Sequence, residues 1–171
     1  RTDHWGRAAE RALTALLAAG PLLDRHADAL TPPPRRRAVV HGDLHHHHFL
    51  LSEEGRRPPR VSAVLDFDNL HVGDRLLDLG WLAELAGRAG DGPPDVRASL
   101  AAFRAEASRT GLLDDRHLPV LMPVLIAHSV PVVVDIAKDI LERDVLSPAW
   151  LGYFELLDAR RRLRLHRLLT A

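Results

Sequence analysis

Three acidic elements and a run of histidines crowd into residues 39–78. Asp43 sits in His41-Gly42-Asp43 and is soon followed by four consecutive histidines, His45 to His48. Asp66 sits in Leu65-Asp66-Phe67-Asp68, and Asp74 and Asp78 in Gly73-Asp74-Arg75-Leu76-Leu77-Asp78. Asp43 and Asp66 each follow an apolar, β-leaning run, where a carboxylate needs a reason. Two strands of a hairpin-like insert would end near one another and hold both carboxylates at one edge. Carboxylates paired in this way, with a histidine between them, can bind a hard cation, act as acid and base, or do both. Asp74 and Asp78 read more simply as residues that cap turns and helices.

The histidine run is a weaker signal than it looks. In a strand, alternate side chains point to opposite faces, so at most two of His45 to His48 could share an ion. No HExxH motif and no cysteine accompany them, which removes the common zinc spacings and any thiolate site. A metal-dependent phosphoester hydrolase would need more ligands gathered on separate strand ends.

The surrounding elements follow from period and punctuation. Residues 5–19 read as helix, Gly20-Pro21 as a break, and residues 21–30 as a second helical piece ended by Thr31-Pro32-Pro33-Pro34. Ala38-Val39-Val40 reads as a short buried strand. Residues 48–52 and 60–67 read as strands joined by a hairpin-type connection through residues 53–59. From Asp74 the chain reads as helix again, apolar almost all round. Further helices are expected near 94–109, with proline in the first turn, and over 117–143, kinked by prolines. The last begins at Ser147-Pro148, with Ser147 as N-cap. The basic stretch 159–167 reads as a solvated helix face. The fold class is therefore mainly α with a small β insert (α+β), as one domain over residues 1–171.

Composition bounds the rest. The 171 residues are 46% apolar, enough for a real core, and 23 basic side chains balance 23 acidic ones. Zero formal net charge offers no electrostatic case for nucleic acid or an anionic membrane as partner. The apolar run 120–134 is interrupted by Pro123, His128, Ser129 and Pro131 and reads as a buried, kinked helix rather than a membrane span. No signal or transit pattern opens the chain, and the expected location is cytoplasmic. Lys138 is the sole lysine among many arginines, as in GC-rich bacterial genomes.

His41-Gly42-Asp43 with the histidines after it, then Val64-Leu65-Asp66-Phe67, then Gly73-Asp74 and Asp78, resembles the catalytic core of the aminoglycoside phosphotransferase family of kinase-like small-molecule phosphotransferases. The likeness is strongest over residues 36–86 and implies the C-terminal lobe of a protein-kinase-like fold. It implies transfer of the γ-phosphate of ATP (or GTP) to a small-molecule hydroxyl, with Mg²⁺ as cofactor. The acceptor would be an antibiotic or a metabolite. By this resemblance Asp43 is the catalytic base, Asp66 the Mg²⁺ ligand, and His41 and Asp78 support the loop. His45 and Asp68 fall near phosphate or substrate, and Leu50 and Leu65 on the floor of the nucleotide pocket.

Two departures stand out. The family places Asn five positions after the catalytic Asp, and here that position is His48. Magnesium prefers oxygen to imidazole, so His48 is a metal ligand of unusual type, a phosphate hydrogen-bond donor, or a sign that one metal is absent. The last possibility keeps open a kinase-like pseudoenzyme or binding module without phosphotransfer. The second departure is upstream. Residues 1–40 contain no lysine and no G-x-G-x-x-G, so the resemblance implies an N-terminal nucleotide lobe that this stretch does not supply. The expectation is a C-lobe that is inactive alone. Other residues have plainer readings: His128 as a hydrogen-bonded helix residue, Trp81 and Trp150 as packing aromatics, and Asp135, Asp139, Glu142 and Asp144 as a solvated helix face or part of a substrate cleft.

Overall fold

The computed structural model describes residues 1–52, 60–88 and 95–171. In chain order the elements are α1 (His4–Arg25), α2 (Ala27–Leu30), β1 (Arg37–Val40), β2 (Phe49–Ser52), β3 (Arg60–Val64), β4 (His71–Asp74), α3 (Arg75–Ala86), α4 (Val96–Arg109), α5 (Leu118–Leu141), α6 (Pro148–Leu156) and α7 (Ala159–Thr170). Short 3-10 turns cover Pro34–Arg36, His46–His48, Phe67–Asn69 and Asp115–His117. The chain is mainly helical with a small β part, as the sequence implies. Two compact units form: Arg1–Thr31 with Asp114–Ala171, and Pro32–Leu113.

The first unit is built on α5. Ala9 packs with Ile136, Ala137 and Ile140, whereas Ala19 and Leu22 pack with Ile126. The start of α1 therefore meets the end of α5, and the two helices run antiparallel. Asp3 caps α1 by accepting the Gly6 N–H at 2.9 Å. Trp5, Trp150 and Phe154 close one end of this core and Ala159 the other.

Two expectations are corrected in this unit. Gly20-Pro21 does not break the helix, and α1 runs on to Arg25. Pro21 removes an N–H and crowds the carbonyl four residues earlier, but Ala15, Ala19 and Leu22 lie on both sides of it and are all buried. Packing outweighs the local cost. The solvated basic helix is a separate element, α7, capped by Asp158 through the Arg160 N–H, and one face of it is core. Arg162 is fully buried there and donates from Nη1 to the Leu125 carbonyl at 3.1 Å and to Ser129 Oγ. Asp115–Leu141 forms one helical stretch, by length and composition sufficient to cross a membrane, although over half of its apolar window is buried in the protein. The prolines at 123 and 131 lie inside this helix.

The second unit carries the β part. β1 pairs antiparallel with β4, from Arg37↔Asp74 to Val40↔His71, and β2 pairs antiparallel with β3, from Phe49↔Val64 to Ser52↔Arg60. The pairs are nested: β2 and β3 lie, in sequence, inside β1 and β4. Two two-stranded ribbons result, not one hairpin-like insert. β4 is an element that the sequence reading absorbs into a loop before the helix. The expected connection at 53–59 and the expected Pro start of α4 fall outside the described residues, and α4 is capped by Asp95 through the Arg97 N–H. Val40, Leu76, Leu77, Trp81 and Ala83 form the buried side of β1 and α3.

Candidate phosphotransfer site

The nesting of the ribbons decides where the chemistry falls. Val40 pairs with His71 at the end of one ribbon, and Phe49 pairs with Val64 at the end of the other. The two connections between the ribbons, 41–48 and 65–70, must therefore run side by side. Asp43 is on the first and Asp66 on the second. One backbone bond and one side-chain bond stitch them together. The Leu65 N–H donates to the His48 carbonyl at 2.9 Å, and His41 Nε2–H donates to the Leu65 carbonyl at 2.8 Å.

Gly42 makes this approach possible. Its φ of +84° is in the left-handed region, and a Cβ there would stand 2.8 Å from the Asn69 carbonyl oxygen. The sequence reading uses the motif His41-Gly42-Asp43 without assigning the glycine a role; the structure gives it one. Asp78, on the first turn of α3, holds the same corner. Its Oδ2 accepts the His41 N–H at 2.7 Å and its Oδ1 accepts the Gly42 N–H at 3.0 Å. Asp74 caps α3 through the Leu76 N–H at 3.1 Å and binds the buried Arg36 guanidinium at the root of β1.

The histidine run is a 3-10 turn rather than a strand. His45 caps that turn in extended conformation, and its ring lies against that of His48, tilted by 36° with centroids 3.7 Å apart. The sequence argument that alternate histidines share a face does not apply to this backbone. His41 and His48 stack, at 5.6 Å, and Trp81 of α3 presents its ring to His45 at 6.0 Å. Asp43, His45 and His48 each bring one ligand atom to a group in which these atoms lie within 4.8 Å of one another.

Hydrogen-bond partners assign the tautomers. A carbonyl can only accept, so His48 Nδ1, 2.7 Å from the Asp43 carbonyl, is the protonated nitrogen. His48 Nε2 then faces Asp66 Oδ2 at 3.3 Å. His45 is arranged the other way round. Its Nδ1 accepts the His47 N–H at 3.3 Å, leaving Nε2–H directed at Asp43 Oδ2, 3.6 Å away. Burial pushes the His45 imidazolium down to about 4, although the Asp43 carboxylate pulls the other way. His45 is thus neutral near pH 7 and leaves the Asp43 charge uncompensated.

Neither key carboxylate is used up in capping. Asp66 precedes a 3-10 turn but makes no side-chain cap bond, and it adopts a left-handed conformation (φ 61°, ψ 68°) that Asp tolerates better than most residues. Among the described residues Asp43 accepts no side-chain hydrogen bond. Asp68, Leu50 and Leu65 are exposed. Leu65 joins the site through its backbone, whereas Asp68 makes no hydrogen bond or ion pair there among the described residues.

The donor set suits a divalent cation. Two ligands at neighbouring corners of an octahedron with bonds of about 2.1 Å lie about 3.0 Å apart, close to the separation of His48 Nε2 and Asp66 Oδ2. A lone pair and a carboxylate turned toward each other need a proton or a cation between them.

The sequence matches the phosphotransferase enzyme family over residues 2–114. The chain belongs to that family, whose members are kinase-like transferases using a nucleoside triphosphate and a divalent metal. No curated protein and no solved structure matches the chain.

Proposed function

We propose that this chain carries the phosphotransfer loop of an enzyme that moves the γ-phosphate of ATP or GTP to a hydroxyl of a small molecule. The observation that supports this best is the bridging position of His48. Its Nδ1–H holds the Asp43 backbone carbonyl and its Nε2 lies against the Asp66 carboxylate, so one imidazole links the two segments that carry these residues. Asp43 is the base: an uncapped carboxylate beside a neutral His45, able to accept the proton of an incoming hydroxyl and to orient its oxygen. Asp66, with His48, holds the metal, Mg²⁺ in the family at large. The bound cation supplies charge neutralisation at the phosphates. Asp78 and Gly42 keep the loop backbone in place, and Asp68 lies on the open side toward substrate.

Clamping a triphosphate in a kinase-like fold also takes a lysine and a glycine-rich phosphate-covering loop, which residues 1–40 do not contain. The reading therefore assigns that part to a nucleotide lobe elsewhere in the gene product. The test is a screen of the full-length gene product against hydroxylated antibiotics, amino alcohols and sugars, with ATP and GTP, read by mass spectrometry of the acceptor. A phosphorylated acceptor formed by wild type and lost in Asp43→Asn supports the proposal. A product that persists undiminished in Asp43→Asn, or no product with any acceptor class, overturns it.

A further inference from the structure

The imidazole at position 48 does more than replace an amide. We infer that His48 Nε2 ligates the site's cation together with Asp66 Oδ2, and that this makes the site select a nitrogen-accepting divalent ion, manganese, over magnesium. The inference rests on reading this site as the metal site of a phosphotransferase, but it is tested by binding alone.

Metal-bound imidazoles donate their distal N–H to a carbonyl or carboxylate, which fixes the ring and its tautomer. His48 has that arrangement before any metal arrives: Nδ1–H goes to the Asp43 carbonyl at 2.7 Å, and Nε2, the nitrogen left to ligate, lies 3.3 Å from Asp66 Oδ2. The ring is buried and packed against both His45 and His41, so little conformational freedom remains to be lost on binding. His45 fails the same criterion. Its distal nitrogen, Nδ1, accepts from the His47 N–H, so ligation through Nε2 would require a tautomer change that sets N–H against N–H. Geometrically His45 lies in a cluster with Asp43 and His48; chemically only His48 is prepared.

Ligand type then sets the ion. Magnesium demands oxygen and dehydrates reluctantly, whereas sites with nitrogen donors bind the first-row transition ions in an order that begins at manganese, the one among them that also suits carboxylate and water. Manganese accepts nitrogen and still keeps an octahedral shell with room for water and phosphate oxygens. A site with one fixed imidazole and one carboxylate should therefore favour it.

The experiment is pulsed electron paramagnetic resonance of Mn²⁺ bound to the 171-residue chain, made with natural-abundance and with ¹⁵N-histidine. It is paired with Mg²⁺ competition measured by calorimetry. The expected result is a directly coordinated histidine nitrogen in wild type, retained in His45→Ala and in His46→Ala/His47→Ala, and absent in His48→Asn. His48→Asn should also lower the Mn²⁺-to-Mg²⁺ affinity ratio by roughly tenfold or more, in line with the 10–100-fold effects of altering metal-site partners. A wild-type spectrum without histidine coupling overturns the inference whatever the variants do. So does coupling that survives His48→Asn, which would place the ion on the histidine run at large. Loss of coupling in His45→Ala overturns it too, because it would assign the ion to the Asp43–His45–His48 cluster. If the nitrogen is bound but no acceptor is ever phosphorylated, the metal assignment stands and the phosphotransfer reading falls.

Discussion

Asp78 accepts the backbone N–H groups of His41 and Gly42 with its two carboxylate oxygens, at 2.7 and 3.0 Å. One side chain on α3 thereby fixes the start of the loop that carries Asp43. Hydrogen bonds to a charged acceptor contribute about 1.5–3 kcal/mol each, and leaving both N–H groups without a partner exposes that cost. Asp78→Ala is expected to lower unfolding free energy by about 3 kcal/mol or more in urea denaturation, the lower end of that range taken for two bonds. Asp78→Asn should lose less, because its carbonyl oxygen still serves one N–H while its amino group opposes the other. Equal stability of Asp78→Ala and wild type would show that the carboxylate does not hold the loop.

Gly42 sets the distance between the two connections. A side chain at φ +84° is strained, and its Cβ would be 2.8 Å from the Asn69 carbonyl. Since that neighbour is backbone, relief requires the segment 65–70 to move. Gly42→Ala is expected to cost more than about 1 kcal/mol, the usual penalty of a non-glycine residue in this region. Hydrogen exchange should be faster at Leu65 and Leu70, whose N–H groups bond to the His48 and Phe67 carbonyls. Unchanged exchange at Leu65 would show that the two segments are not coupled through this contact.

Arg162 tests the other unit. The guanidinium is fully buried and bonded to the Leu125 carbonyl and Ser129 Oγ on α5, so it ties α7 to the central helix. Arg162→Ala removes packing and hydrogen bonds together. It should destabilise the chain by about 3 kcal/mol, as for loss of a large buried side chain. Arg162→Met, which keeps most of the volume, should recover part of that loss. The comparison of midpoints in urea decides between them, and Arg162→Ala at wild-type stability would return the residue to a solvated role.

What was legible in the sequence follows the strength of the local signal. Helix faces and short apolar strands could be read because their residues repeat at fixed periods. The family likeness could be read because Asp43, Asp66 and Asp78 are fixed in type and order. β4 was hidden because His71-Val72-Gly73-Asp74 has only one strand-forming residue and exists through its pairing with β1, which is a non-local cause. Pro21 misled because its local penalty is offset by long-range burial. Arg162 misled because a basic run looks solvated. The signal against that reading was the spacing 159, 162, 165 and 169, which is one helix face and is buried throughout. The His48 tautomer could not be read at all, since it depends on which carbonyl the folded backbone places beside it.

His166, on α7, gives a pH signature. Its titration is lowered by burial, and further by the nearby His26 and Arg25 charges. Among the described residues its buried Nδ1 has no hydrogen-bond partner. The protonated form is therefore disfavoured in the folded chain, and the unfolded chain binds the extra proton first. Stability from this source is complete above the unfolded value of about 6.5 and is lost as pH falls below it toward the lower folded value. Urea midpoints at pH 7.5 and 5.5 should differ more for wild type than for His166→Phe. His26 and Arg25 are unchanged in both proteins, so their own effects cancel. An identical pH dependence in the two proteins would remove His166 as the cause.

The division of labour between Asp43 and Asp66 can be separated in the full-length gene product. If Asp43 orients the acceptor hydroxyl and takes its proton, Asp43→Asn should lower kcat by about 10²–10⁴-fold, the usual contribution of a positioned base. Nucleotide binding should then be unaffected, because on that reading Asp43 meets the hydroxyl and Asp66 the cation. If Asp66 holds the metal, Asp66→Ala should instead weaken metal-dependent nucleotide binding and raise the metal concentration needed for turnover. Calorimetry with nucleotide, with and without metal, distinguishes the two. The assignments would be exchanged if Asp43→Asn lost metal-dependent nucleotide binding while Asp66→Ala kept it. Their geometry argues otherwise: His48 presents Nε2 to the Asp66 carboxylate, but touches Asp43 only at its backbone carbonyl.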